Sequence, residues 1–146
     1  RLQVFYYPYH AKLTSLIKQT RDLFKKVILL DCHSMPNSAI TIAKNRYPVE
    51  VVLGDCFGTS CEPEIVLELK DLLTEVGFKV SLNKPFSGGF ITRNYANPPN
   101  NIYVIQIEIL RSLYSYEKQQ TKNSEFLAIQ NRLLGAIEQF IKRFED

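Results

Sequence analysis

Cysteine is scarce in this chain of 146 residues, occurring only at positions 32, 56 and 61. An odd number of cysteines without a CxxC pair matches neither a disulfide framework nor a zinc knuckle. The sequence therefore predicts a reducing, cytoplasmic setting. We expect Cys32 to belong to the core rather than to act as a nucleophile, and the spacing of Cys56 and Cys61 to have a structural origin.

Long apolar runs and dense clusters of one charge are missing as well. No stretch approaches the roughly 20 apolar residues that span a bilayer, and the amino end lacks the basic-then-apolar pattern of a secretion signal. The formal net charge is +3 and the basic residues are spread along the chain, so no basic stripe for nucleic acid stands out. These absences predict a soluble protein whose partners are neither membranes nor nucleic acids.

The sequence does contain an alternation of helix-like and strand-like segments. Helical periodicity covers 9–24, 39–44, 62–76 and 126–144, and strand-like runs cover 27–32, 50–54, 78–82 and 102–109. Gly77 is expected to cap the third helix and Ser124 to begin the last. Three of the four strands are nearly continuous apolar runs, as expected where helices cover both sheet faces. The pattern predicts one α/β domain over 1–146, a three-layer sandwich with a mixed, partly parallel sheet.

The first predicted strand delivers a histidine to its end, in the sequence Asp31-Cys32-His33-Ser34. Neutral imidazole is the commonest metal ligand and also serves as a general base. Because side chains alternate along a strand, Asp31 shares a side with His33 and is placed to orient the imidazole. We interpret His33 as functional. Ser34 either donates a hydrogen bond to a substrate oxygen or bonds the local backbone.

The last predicted strand carries two polar residues in an apolar run. Gln106 and Glu108 share one of its faces, whereas the isoleucines at 105, 107 and 109 share the other. Burying a lone carboxylate is costly unless it has a partner. Glu108 is therefore either a general base in metal-assisted hydrolysis or the partner of Arg93 or Arg111 in an ion pair.

A loop rich in proline and glycine, 83–90, follows the third predicted strand, and Arg93 and Tyr95 come after it. Paired glycines allow close backbone approach, and a guanidinium suits bidentate recognition of a carboxylate. This segment is either a loop that binds an acidic substrate or a flexible surface loop with a solvated arginine. Asn83 lies at the carboxyl end of a strand, where ligand sites of α/β sheets usually form.

Several catalytic signatures are absent from the sequence. It contains no G-x-S-x-G turn of a serine hydrolase, no phosphate-binding loop and no dinucleotide fingerprint. Metal-assisted hydrolysis is the reaction type that remains.

Five segments, in order along the chain, resemble the N-formylglutamate amidohydrolase (deformylase) family. They are Tyr7-Pro8-Tyr9-His10, Asp31-Cys32-His33-Ser34-Met35, Leu53-Gly54-Asp55, the run 83–92 and the run 106–114. The family is similar in fold to the zinc carboxypeptidases. The resemblance therefore implies a phosphorylase/hydrolase-like sandwich that holds zinc or another divalent metal.

The same resemblance implies roles for individual residues. His33 looks like the last zinc ligand, and Glu108 looks like the glutamate that activates zinc-bound water. Asp31 and Gln106 are expected to orient these two. Residues expected to hold the substrate carboxylates or the oxyanion are Ser34, Asn83, Arg93 and Tyr95. The implied reaction cleaves N-formyl-L-glutamate, or a related N-acyl amino acid, to formate and glutamate, a late step of one histidine-degradation route.

Full-length members of this family have an additional amino-terminal half with the other zinc ligands, and the chain resembles their C-terminal portion. Two readings follow: part of a longer amidohydrolase, or a non-catalytic, truncated α/β remnant that acts as a structural or interaction domain. We expect apolar surface that the additional half would cover. Its exposure predicts self-association or dependence on the missing amino-terminal segment.

Overall fold

The sheet at the centre of the fold is flanked by helices on both faces. The structure, a computed structural model, describes residues 1–42 and 48–144. Its helices are α1 (Tyr7–Phe24), α2 (Asn37–Ile42), α3 (Pro63–Glu75), α4 (Phe90–Tyr95) and α5 (Phe126–Lys142). Its strands are β1 (Val27–Met35), β2 (Val51–Gly54), β3 (Val80–Leu82), β4 (Ile102–Leu110), β5 (Ser115–Tyr116) and β6 (Thr121–Lys122). A π-helical turn, Leu2–Tyr6, leads into α1, and 3₁₀ turns cover Pro98–Asn100 and Arg111–Leu113.

The main sheet has the strand order β1-β4-β2-β3. β4 runs parallel to β1 and antiparallel to β2, whereas β2 and β3 run parallel. The sheet is therefore mixed and partly parallel, as the sequence predicted. β5 and β6 form a separate antiparallel hairpin after β4.

The hydrophobic core lies on the sheet face that α3 and α5 cover. Leu69, Leu73, Ile105 and Phe140 are at most 2% exposed. The strands contribute alternate residues to this cluster, Val51 and Leu53 from β2 and Tyr103, Ile105 and Ile107 from β4. Because strand side chains point alternately to the two faces, the isoleucines of β4 enter the core while Gln106 and Glu108 face the other way. This confirms the predicted division of β4.

The opposite face is covered by α4 and α1. A Cβ atom added to Gly89, just before α4, would lie 3.2 Å from the Gln106 side-chain oxygen, so α4 begins directly over the polar face of β4. The imidazole of His10 in α1 contacts α4, with ring centroids 5.5 Å from Phe90 and 5.8 Å from Tyr95. Helices on both sides make the three layers that the sequence predicted.

Gly54 allows a loop to cross the end of β2. A Cβ at Gly54 would lie only 2.6 Å from the carbonyl carbon of Ser87, and the Cys56 N–H donates to the Ser87 carbonyl at 2.6 Å. No side chain fits between backbones this close. The motif Leu53-Gly54-Asp55 thus reflects a close approach of the loop before α4 to the carboxyl end of β2.

Most predicted elements are confirmed with shifted ends. β1 continues three residues beyond the prediction because its pairing with β4 persists to Met35, so His33 lies within the strand. α4 was not predicted, since it has six residues and follows a loop rich in glycine. Gly77 adopts a φ of 90° after α3, as expected for a capping glycine. Residues 43 and 44 of the predicted second helix lie outside the described residues.

Two predictions about individual residues are wrong. The N-cap of α5 is Glu125, whose N–H donates to the Asn123 side-chain oxygen at 3.0 Å, so Ser124 does not cap this helix. Cys32 is exposed rather than part of the core, because β1 lies at the edge of the sheet where its outer flank is poorly covered.

Among the described helices, none has both the length and the hydropathy to cross a membrane.

Candidate active site

The candidate site is built on the paired strands β1 and β4. In their parallel register Asp31 lies opposite Gln106 and His33 opposite Glu108. Residues directly opposite in a ladder project to the same face. The four polar side chains therefore form a square on the face away from the main core; alternation predicted the pair within each strand, and the register brings the two pairs together.

The acid and the imidazole of β1 are in contact. The Asp31 carboxylate oxygen lies 3.0 Å from His33 Nε2, and the side chains are 16% and 47% exposed respectively. Within the described residues, His33 Nδ1 has no hydrogen-bond partner. A carboxylate on one ring nitrogen fixes the orientation of the imidazole and leaves the other nitrogen available to bind a metal or a proton. The predicted Asp31–His33 pair is present.

The Glu108 carboxylate is buried and hydrogen-bonded to its neighbour. The Gln106 amide donates to Glu108 Oε1 at 3.0 Å, and the two residues are 5% and 8% exposed. Burial raises the pKa of Glu108, while the nearby His33 imidazole, the Gln106 hydrogen bond and the Arg111 charge act in the opposite direction. A carboxyl group whose pKa is raised toward neutrality is better suited to take up a proton from water.

The ion pairs of the described residues do not include Glu108. The alternative role predicted for it, a structural pair with Arg93 or Arg111, is therefore not formed. Arg111 instead donates to the Ser34 carbonyl at 3.3 Å and lies 3.4 Å from the Ser34 hydroxyl. Its influence on Glu108 is through charge alone. Sequence reasoning named Arg111 only as a possible ion-pair partner, although it belongs to the motif 106–114.

Asn83 holds the loop after β2. Its side-chain amide donates to the Asp55 carboxylate at 2.6 Å, and its carbonyl oxygen accepts from the backbone N–H groups of Asp55 and Phe57 at 3.1 and 3.2 Å. Asp55 is buried and also accepts from the Gly58 N–H at 3.1 Å. These bonds occupy both ends of the Asn83 amide. Asn83 therefore fixes the conformation of the loop after β2.

Arg93 and Tyr95 lie on α4 and contact protein groups. The Arg93 guanidinium donates to the carbonyls of Gly88 and Gly89 at 3.0 and 3.3 Å. The Tyr95 hydroxyl hydrogen-bonds to His10 Nδ1, and the two rings stack at an angle of 13°. This contact joins the motif at 7–10 to a residue 85 positions away in α4, and no local pattern in the sequence indicated it.

The three cysteines are free thiols of different character. Burial raises the pKa of the Cys61 thiol to about 12, with Asp55 and Glu62 adding to the effect. Burial and the charge of Asp31 also raise the pKa of the Cys32 thiol. Reactive cysteines have lowered pKa values, so neither has the character of a nucleophile. The described residues contain no group of three histidine, cysteine or acidic side chains arranged to hold a metal ion.

Comparisons with known proteins identify the family. A sequence model of the N-formylglutamate amidohydrolase family matches residues 1–115. The chain belongs to this family. A deformylase of N-formylglutamate from Pseudomonas putida is 31% identical over 87% of this chain and 48% of its own length. The corresponding enzyme of Pseudomonas aeruginosa is 29% identical over 76% of this chain and 42% of its own length.

A solved structure agrees with this assignment. The crystal structure of an N-formylglutamate amidohydrolase from Ralstonia eutropha JMP134 superposes with a TM-score of 0.88 at 34% identity, covering 97% of this chain and 52% of that one. A gene product of Agrobacterium tumefaciens shares the fold, with a TM-score of 0.67 at 17% identity over 99% of this chain and 54% of its own. This member of the N-formylglutamate amidohydrolase family therefore spans about half the length of the relatives that it matches.

Proposed function

We propose that this protein takes part in the hydrolysis of N-formyl-L-glutamate, or a closely related N-acyl amino acid, to formate and the free amino acid. The single observation that supports the chemistry is the in-register placement of His33 and Glu108 on one sheet face, each held by a polar neighbour. The substrate class comes from the family and from the names of the relatives.

Glu108 is proposed as the general base. It takes a proton from water as the water oxygen attacks the formyl carbon, and it returns the proton to the amide nitrogen as the C–N bond breaks. Formic acid, which ionises to formate, and the free amine are the products, and the Glu108 carboxylate is regenerated. Burial raises the pKa of Glu108, which favours uptake of the proton from water because a carboxylate with a higher pKa is a stronger base.

His33 is proposed as one ligand of a zinc ion, or of another divalent metal. The fit rests on its chemistry: Asp31 holds Nε2 at 3.0 Å and Nδ1 is available. Zinc in such a site polarises a carbonyl and lowers the pKa of water. A catalytic zinc usually has three protein ligands, and the described residues supply one, so the further ligands would come from outside them.

Formate release tests this proposal directly. We expect the protein expressed from its complete reading frame and supplied with zinc to release formate from N-formyl-L-glutamate. Glu108→Gln should cut turnover by roughly 10²-fold or more, as is typical for loss of a general base, while zinc content stays near that of the wild type. Glu138→Gln, on the exposed surface of α5, is the matched control and should be fully active.

Two outcomes would contradict the proposal. Normal turnover of Glu108→Gln would assign the base to another residue. Absence of formate release from N-formyl amino acids, and of acetate release from N-acetyl amino acids, would favour the non-catalytic reading, which the shortage of metal ligands among the described residues supports. Preference for another member of the panel would change the substrate and keep the chemistry.

A further inference from the structure

The Gln106 side chain has one bonded end and one end without a partner. Its amide nitrogen donates to Glu108 Oε1 at 3.0 Å. An ionised carboxylate accepts hydrogen bonds and cannot donate them, so Glu108 fixes the NH2 group of Gln106 on its own side. The Gln106 carbonyl oxygen, Oε1, must then face away from Glu108. Within the described residues, no hydrogen-bond donor reaches this oxygen.

Gln106 Oε1 is still within reach of solvent. In the part of the chain that the structure describes, the Thr92 hydroxyl is the one fully buried side-chain polar atom without a hydrogen-bond partner. Gln106 Oε1 also lacks a partner but does not share that full burial, in agreement with the 5% exposure of the residue. Buried acceptors are normally paired with a donor. The oxygen is therefore available to a small donor that enters the site.

A glycine keeps the space beside this oxygen open. Gly89 precedes α4, and a Cβ added to it would lie 3.2 Å from Gln106 Oε1. The φ of Gly89 is −96°, a value that other residues also adopt, so the backbone at this position does not itself require glycine. In the sheet, Gln106 lies between Asp31 of β1 and Gly54 of β2, and neither offers a side-chain donor. The surroundings of Oε1 thus leave room for a donor and supply none.

The substrate proposed above has a single donor to offer. At neutral pH both carboxyl groups of N-formyl-L-glutamate are ionised, and its formyl oxygen is an acceptor, so the amide N–H is the only hydrogen-bond donor. This N–H belongs to the C–N bond that the reaction breaks. We propose that Gln106 Oε1 accepts a hydrogen bond from the N–H of the scissile amide. This role rests on the proposed function and adds to it a residue that contacts the reacting group.

The hydrogen bond would orient the amide nitrogen for its protonation. When water adds to the formyl carbon, the nitrogen becomes tetrahedral and carries one hydrogen atom and one lone pair. A hydrogen bond to Gln106 fixes the direction of the N–H and therefore the direction of the lone pair. Glu108, whose carboxylate lies beside the Gln106 amide, returns its proton to that lone pair. Gln106 itself gives and takes no proton.

An ester analogue of the substrate tests this hydrogen bond. The formate ester of 2-hydroxyglutarate has an oxygen atom in place of the scissile N–H and keeps the rest of the skeleton. Formate release from the amide and from the ester is measured as kcat/KM, with zinc-supplied protein expressed from its complete reading frame. We expect Gln106→Met, which lacks the acceptor, to lower kcat/KM for the amide about 10-fold more than for the ester. Gln139→Met, on the exposed surface of α5, is the matched control and should leave both values unchanged.

A second variant keeps the Gln106 side chain and changes only the space around it. Gly89→Ala brings a Cβ to within 3.2 Å of Gln106 Oε1, so the oxygen must move from its position. We expect this variant to lower kcat/KM for the amide about 3-fold more than for the ester, because the hydrogen bond is weakened rather than removed. If Gln106→Met does not accumulate as folded protein, Gly89→Ala decides on the same comparison.

The possible contradictions are distinguishable from one another. Equal losses on amide and ester would overturn this role, because Gln106 would then act through Glu108 or through the attacking water, which both substrates share. Unchanged kcat/KM for both substrates in the deciding variant would also overturn it. In either case the wild type still hydrolyses the amide, and the proposed function stands. A wild type that releases no formate from the amide would overturn the proposed function and the role of Gln106 together.

Discussion

The two flanks of β4 differ in how they are covered. On one side β2 is fully enclosed, with Val51, Val52 and Leu53 at 0% exposure. On the other side β1 leaves Cys32, His33 and Ser34 exposed. The enclosed flank packs against α3 and α5 and contributes fully buried residues to the hydrophobic core. The open flank can keep ionisable groups in contact with water. The polar square of the candidate site therefore lies at the boundary between the buried and the exposed part of the sheet.

The largest effect should come from the enclosed flank. Leu69 of α3 is fully buried, and Leu69→Ala should lower the free energy of unfolding by about 2–5 kcal/mol through lost burial and a residual cavity. Leu23 of α1 is 74% exposed, and Leu23→Ala should change the free energy of unfolding by less than about 0.5 kcal/mol. Urea titration measures both. Similar losses in the two variants would remove the distinction between the flanks.

The next effect concerns the end of β2. Gly54→Ala forces a Cβ to within 2.6 Å of the Ser87 carbonyl carbon, and backbone must move to admit it. We expect a loss of about 1–3 kcal/mol in unfolding free energy, as for other overpacked sites. Gly135→Ala is the control. It lies in α5 with nothing within 4 Å of the added Cβ, and it should stabilise the protein by up to about 1 kcal/mol through helix propensity.

A smaller, pH-dependent effect is expected where the flanks meet. Burial raises the pKa of Glu108 above its usual value, so the folded state holds this proton more tightly than the unfolded chain does. The resulting stability is complete below the unfolded pKa and is lost as the pH rises through the folded pKa. The side chain of Glu108→Gln cannot ionise. The Tm of this variant minus the Tm of the wild type should therefore increase as the pH rises from 4 to 8. A constant difference across this range would contradict the assigned environment.

The smallest effect is expected within α4. Thr92 is fully buried, and its hydroxyl has no hydrogen-bond partner within the described residues. Replacing an unsatisfied hydroxyl by a methyl group of the same shape removes a desolvation cost. Thr92→Val should therefore be neutral or stabilising by up to about 1 kcal/mol in thermal unfolding. Thr92→Ser keeps the hydroxyl and loses packing, so it should be less stable than wild type.

Periodicity was sufficient to predict the parts of the fold in which local and tertiary preferences agree. α3 and β4 are examples, since each has an apolar face of the correct period and a matching core. Alternation along single strands also predicted that Asp31 would share a face with His33 and Gln106 with Glu108. The register that brings these two pairs together depends on contacts between residues about 75 positions apart, and no local pattern encodes it.

The failures arose where tertiary structure overrides the local pattern. α4 has only six residues and forms where the loop 83–89 packs over Gln106. Cys32 follows an apolar run and was assigned to the core, which assumed that both faces and both edges of β1 were covered. The substrate roles of Asn83, Arg93 and Tyr95 are a separate case, because the family resemblance implies them and no local pattern does. Their contacts are with the Asp55 loop, the Gly88–Gly89 carbonyls and His10, and their substrate roles stay predictions.

The strand order has a consequence for how the chain assembles during synthesis. β4, the last strand of the main sheet to be made, lies between β1 and β2. Until residues 102–110 have left the ribosome, β1 lacks the one strand that pairs with it among the described residues, and β2 has only β3 of these strands to pair with. β1 and β2 can therefore join one sheet only after β4 has emerged, and this delay exposes the apolar segment 27–30 to competing contacts. Early, non-native association of that segment is the characteristic hazard of this topology.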